Sequence, residues 1–139
     1  AAQSVQHQPS QVRPWVLADA LDTELERVGA GLVVIEQFAV SLHIVSGAAE
    51  AGRNVYIRPA GGSEGYGVDG AIGVKLAAPD RAVAGLVGDG SMFYAGVLLD
   101  GIDPVKIAEG FRLEGMRVED EARVAGAIAH GLEVTARRI

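Results

Sequence analysis

Two glycine-rich segments hold the residues whose types and spacing could do chemistry. The first is Gly61-Gly62-Ser63-Glu64-Gly65 and the second is Gly88-Asp89-Gly90-Ser91. Glycine lets a backbone approach a ligand closely, and a lone carboxylate beside phosphate oxygens is a common way to hold Mg²⁺. A helix opening after the first segment would present free amides that could face an anion. Either segment alone also fits a plain turn. Glu36 closes the apolar run Leu32-Val33-Val34-Ile35, where it could contact a ligand or bond a neighbouring amide.

The elements that must position these residues follow from periodicity and breakers. Pro14 opens a helix with Leu17, Leu21, Leu25 and Val28 on one stripe, ended by Gly29 and Gly31. Residues 32–35 read as a strand buried on both faces, 39–49 as a helix, and 55–57 as a second short strand. A small-residue helix runs from the first glycine segment to about Ala78, and a buried strand over 83–87 leads into the second. Asp103-Pro104 is a capped helix start and Gly110 its stop. Residues 112–118 read as a further strand. A last helix follows, with Glu119, Asp120 and Glu121 in its first turn and Val124, Ile128 and Leu132 in a row. Helices alternating with strands predict an α/β, Rossmann-like layered domain, its mainly parallel sheet flanked by helices. In such sheets ligands bind beyond the carboxyl ends of the strands, where both glycine segments fall.

Composition narrows the function classes. The chain has 139 residues, a net charge of −6 and no cysteine. An acidic chain with scattered basic residues is not a nucleic-acid binder, and no apolar run approaches the roughly 20 residues of a membrane span. Lack of cysteine fits a cytoplasmic protein and excludes thiolate metal sites and a cysteine nucleophile. The polar start, residues 1–13, reads as a linker or disordered arm, leaving 14–139 as the domain. His7, His43 and His130 have no partner at ligand spacing and read as surface or helix residues; Trp15 and Tyr66 read as packing residues. The glycines at 61, 62, 65 and 67 miss the spacing of a dinucleotide fingerprint.

The two glycine segments do not stand alone. The stretch from Gly61 through Gly70-Ala71-Ile72-Gly73-Val74-Lys75-Leu76-Ala77-Ala78-Pro79-Asp80-Arg81, the strand to Val87, and then Gly88-Asp89-Gly90-Ser91 resembles the thiamine-diphosphate-dependent enzymes of the benzoylformate decarboxylase and acetolactate synthase type. Gly101 to Leu113 and the helix after it are similar to the end of the same enzymes. The resemblance implies the C-terminal, diphosphate-binding domain, with thiamine diphosphate and Mg²⁺ as cofactors. It implies Asp89 as metal ligand, and Gly88, Gly90 and Ser91 against the diphosphate. It further implies the Gly62 carbonyl as acceptor for the aminopyrimidine, Ser63 and Glu64 lining that turn, and Glu36 on another cofactor-facing edge. No catalytic residue is assigned. The implied reaction is decarboxylation of a 2-oxo acid or its joining to a second carbonyl compound. The implied partners are a pyrimidine-binding domain, on the same longer chain or a partner subunit, and further copies in a homo-oligomer. A domain that keeps the fold without the cofactor, as an assembly surface, is the alternative.

The sequence departs from that pattern at several positions. The asparagine that completes the Mg²⁺ shell is missing, since Asn54 lies upstream of the motif. Glu64 replaces a bulky hydrophobe, Asp69 a proline, and Phe38 and Ala39 residues with hydroxyls. The resemblance also jumps over some tens of residues between Ala95 and Gly96. A segment with a helix, a strand and the asparagine is therefore expected to be lacking there, either unresolved or deleted.

Overall fold

The computed structural model describes residues 11–36, 54–58, 65–88, 91–93 and 103–136. Helix α1 spans Pro14–Arg27, and strands β1 (Gly31–Ile35) and β2 (Val55–Ile57) follow. Helix α2 (Gly67–Ala77), strand β3 (Ala82–Leu86) and a 3₁₀ turn at Ser91–Phe93 come next. Helix α3 (Pro104–Gly110), a second 3₁₀ turn at Glu121–Arg123 and helix α4 (Val124–Ala136) complete the order.

The sheet order is β2-β1-β3, with β1 parallel to both neighbours. Parallel neighbours need crossovers, and α2 lies on the crossover from β2 to β3. Because side chains alternate across a strand, Val33 and Ile35 face one helical layer and Glu36 the other. Val33 and Ile35 pack with Leu21 and Leu25 of α1, joined at the margin by Ala82, Ala84, Leu86, Ile128 and Leu132. On the opposite face, Gly85 lies under Ala71 and Gly67 of α2. The result is three layers, α1 and α4 on one side and α2 on the other. This is the α/β, Rossmann-like arrangement the alternating elements imply.

Helix α1 ends where Gly29 takes φ +102° and Ala30 takes φ +74°, turning the chain into β1. Its stripe is buried at Leu21 and Leu25, while Val28 is exposed. Arg13, the last residue of the expected arm, is docked: its backbone N–H and Nε donate to Glu121 Oε1, and Nη2 to Oε2, at 2.7–2.8 Å. That fork ties the start of α1 to the turn that precedes α4.

Three expectations are corrected. Residues 112–118 do not form a strand; residues 113–120 carry no regular structure. A strand needs a neighbour to take its backbone hydrogen bonds, and none of the described strands lies beside this segment. Strand β3 is not buried on both faces: its residues are half-buried and Gly85 is exposed. It is an edge strand among the described residues, covered on one side of its length only. Trp15 is 58% exposed and lies under the Arg13 guanidinium, 5.4 Å from the ring centre, so it is not a core residue. The expected helix at 39–49 and the expected break near 95–96 lie outside the described residues, as does most of the 1–13 arm.

Candidate functional site

Strands β1 and β3 are parallel neighbours, so their carboxyl ends lie together. Glu36 leaves the end of β1 and Val87-Gly88 the end of β3; the Glu36 N–H donates to the Leu86 carbonyl at 3.2 Å, which holds the two exits side by side. The amino end of α2 is at the same place. Glu36 Oε1 accepts a hydrogen bond from the Gly67 N–H, the first amide of that helix, at 2.7 Å. Three segments far apart in sequence thus meet at one end of the sheet.

Gly67 is glycine because nothing larger fits. A Cβ there would lie 2.6 Å from Val87 Cγ2 and 2.7 Å from Glu36 Cγ. Tyr66 packs its ring over Gly70, and Asp69 occupies the first turn of α2, where a negative charge suits the helix dipole. Tyr66 is therefore a packing residue, as its sequence context implies.

Glu36 is 1% exposed, and its Oε2 is buried with no hydrogen-bond partner among the described residues. Both readings of this residue find a counterpart: one oxygen bonds a neighbouring amide, while the other is an acceptor without a donor. The first of the amides at this helix end is thus taken from within the chain. On the β3 side, Gly88 and Ser91 stand together, and the Gly88 carbonyl accepts from the Met92 N–H at 3.0 Å to start the 3₁₀ turn. Ser91 is half-buried. A Cβ on Gly88 would meet Ser91 Oγ at 3.5 Å, an ordinary contact.

Of the eight expected site residues, Glu36, Gly88 and Ser91 are brought to this end of the sheet. Gly62, Ser63, Glu64, Asp89 and Gly90 lie outside the described residues, as do Phe38 and Ala39. Among the described residues no three acidic, histidine or cysteine side chains gather at metal-binding distance.

Asn54 is at the wrong end to replace the missing asparagine. It precedes β2, and its Oδ1 accepts from the N–H of Gly31, the first residue of β1, at 2.7 Å. Its Nδ2 donates to the Asp22 carbonyl at 3.1 Å and to Asp22 Oδ1 at 2.7 Å, and Tyr56 Oη donates to the same carboxylate at 2.9 Å. Burial, then the Asp22 carboxylate, push the Tyr56 hydroxyl well above the ordinary tyrosine range. This buried network fixes α1 to the amino ends of the strands. The sequence reading missed it, and the signal available was a polar Asn54 directly before an apolar strand. His130 is exposed and pairs with Glu114 at 2.6 Å, away from the site; His7 and His43 lie outside the described residues.

Residues 39–99 match the family of the thiamine pyrophosphate enzyme, C-terminal TPP binding domain. The chain is also 28% identical over 117 residues to a benzoylformate decarboxylase of Pseudomonas aeruginosa, covering 55% of this chain and 22% of that protein. It thus spans about a fifth of the length of the curated relative that it matches. No solved structure matches the chain significantly. No described helix is long and apolar enough to cross a membrane.

Proposed function

Because the chain carries the C-terminal, cofactor-binding domain of the thiamine pyrophosphate enzymes, of the benzoylformate decarboxylase type, we propose that it supplies the diphosphate- and Mg²⁺-holding half of an active site acting on 2-oxo acids. The single observation that carries this reading is the meeting of Glu36, Gly88 and the amino end of α2 at the carboxyl ends of two adjacent parallel strands. That is where a doubly wound sheet takes its ligand.

The described residues fit such a ligand on one side of the site. Gly88 and the Ser91 hydroxyl would meet diphosphate oxygens, while the Gly67 amide of α2 is taken by Glu36. Asp89, next in sequence to Gly88, would ligate Mg²⁺, and Gly90 would let the backbone approach. Gly62, Ser63 and Glu64 would line the aminopyrimidine side, with the Gly62 carbonyl as acceptor. The buried Glu36 Oε2 has no donor among the described residues. When bound, thiamine diphosphate supplies the electron sink that decarboxylation of a 2-oxo acid requires. The protein's part is to fix the orientation of that group and to neutralise its phosphate charge.

The reaction also needs a pyrimidine-binding domain, which we place on a longer form of this chain or on a partner subunit within a homo-oligomer. A reducing, cytoplasmic setting is supported by the cysteine-free sequence. A segment lacking within the matched span, which we place near 95–96, is in keeping with the coverage of the relative. The alignment takes in 55% of 139 residues, about 76, which leaves about 41 of the 117 positions without a counterpart here.

Titration calorimetry with thiamine diphosphate and Mg²⁺ tests the reading. Heat of binding that disappears in Asp89→Ala is the expected outcome. A second reading, a cofactor-free assembly domain, is favoured by Glu36 taking the Gly67 amide and by Phe38, Ala39, Glu64 and Asp69 at positions where other residues are expected. It predicts no heat, even for a longer chain that includes the second domain.

A further inference from the structure

Helix α2 has no cap of its own. Tyr66, at its N-cap, makes no side-chain hydrogen bond, and the first amide of the helix is met instead by Glu36, 31 residues away. Among the described residues no other side chain bonds an amide at this end of α2. The packing there is close: a Cβ on Gly67 would lie 2.6 Å from Val87 Cγ2, and 2.7 and 2.9 Å from Glu36 Cγ and Cδ. Gly67 is the one buried residue of α2, while Ile72 is 55% and Leu76 78% exposed further along. The helix is thus held at its amino end. Glu36 has an anchorage of its own, because its N–H donates to the Leu86 carbonyl and ties it to the sheet. The strand end is the fixed post, and the helix is set against it.

We propose that Glu36 is a positioning residue for the thiamine diphosphate site: it touches no cofactor atom, and through Gly67 it sets where the chain enters α2 relative to the exit of β3. The inference rests on the reading of the site given above. There the diphosphate falls to the segment after β3 and the aminopyrimidine to the glycine segment before α2. A ligand that spans both binds well only if their separation is fixed beforehand by a supporting shell. Gly65, just ahead of the helix, takes φ +81°, so the chain turns sharply beside the point that the carboxylate secures. The side chain suits a post rather than a ligand-facing group. Its Oε1 is taken up by Gly67, and the residue is 1% exposed. An acceptor is all that this task needs, so the negative charge is dispensable.

Calorimetry of the 139-residue chain with Mg²⁺ tests it, comparing thiamine diphosphate with inorganic pyrophosphate, which reaches the diphosphate side alone. Glu36→Leu fills the same space and removes the acceptor, whereas Glu36→Gln keeps an acceptor without the charge. The unaltered chain is expected to bind thiamine diphosphate more tightly than pyrophosphate. Glu36→Leu should weaken thiamine diphosphate by roughly tenfold or more and leave pyrophosphate within about twofold. Glu36→Gln should stay within about threefold of the unaltered chain for both ligands. Undiminished binding of thiamine diphosphate by Glu36→Leu overturns the proposal. So does equal weakening of both ligands, or a Glu36→Leu chain that does not fold, since Glu36 would then serve the fold as a whole. A Glu36→Gln chain as weak as Glu36→Leu overturns it too, because the cofactor would then meet the charge itself. An unaltered chain that binds both ligands equally sinks the inference and leaves the reading of the site standing. No heat from the unaltered chain with pyrophosphate overturns that reading, and the inference falls with it.

Discussion

Glu36 shows how one side chain can set what a site accepts. Its Oε1 takes the first amide of α2, so one donor of that helix end is met within the chain. A hydrogen bond to a charged group contributes about 1.5–3 kcal/mol. Glu36→Ala should therefore lower stability by roughly 2–3 kcal/mol, read as a shift in the urea midpoint at constant slope. Glu36→Gln, which keeps an acceptor for Gly67, should cost clearly less; equal losses would mean that volume, not the hydrogen bond, is what matters. Gly67→Ala should cost about 1–3 kcal/mol, because the added methyl meets the stiff Val87 side chain and the Glu36 stem. A midpoint unchanged in that variant would show that the three segments are not packed as described.

At the scale of elements, the short helix α3 depends on its cap. Asp103 accepts from the Val105 N–H at 3.0 Å, and Arg117 lies 3.4 Å from the same oxygen. The amide hydrogen bond, helped by Arg117 against a smaller opposing effect of desolvation, holds the Asp103 carboxyl below the usual aspartate range. A depressed carboxyl contributes stability that is fully present above its unfolded value and is lost as pH falls through the folded one. The Val105 amide resonance should therefore titrate with a midpoint below that of an ordinary aspartate, and Asp103→Asn should remove the step. A midpoint at or above the ordinary value would contradict the cap.

The same helix was legible in sequence, because Asp103-Pro104 and Gly110 act through local geometry alone. Strand β1 was legible too: Leu32 to Ile35 is too short and too β-branched to be anything else in a chain of this pattern. Residues 112–118 were not, since a strand exists only if a neighbour receives its hydrogen bonds, and no local pattern reports the neighbour. The site divided in the same way. Glycines and a carboxylate marked the ends of β1 and β3, whereas the contact between Glu36 and Gly67 spans 31 residues and could not be read from either segment.

For the whole molecule, the order β2-β1-β3 has a consequence for how the chain is made. The central strand comes first in sequence, and both of its neighbours come later. During synthesis Leu32 to Ile35 leaves the ribosome with no neighbour until residue 57 has followed, and without its second neighbour until residue 86. At ribosomal rates of about 5–20 residues per second, that interval is roughly 3–10 s. Chains truncated before Ala82 should accordingly stay open to proteases, and chains extended past Leu86 should gain resistance. For those seconds the most apolar stretch of the sheet keeps one edge bare, and the nascent chain is a natural client for holding chaperones.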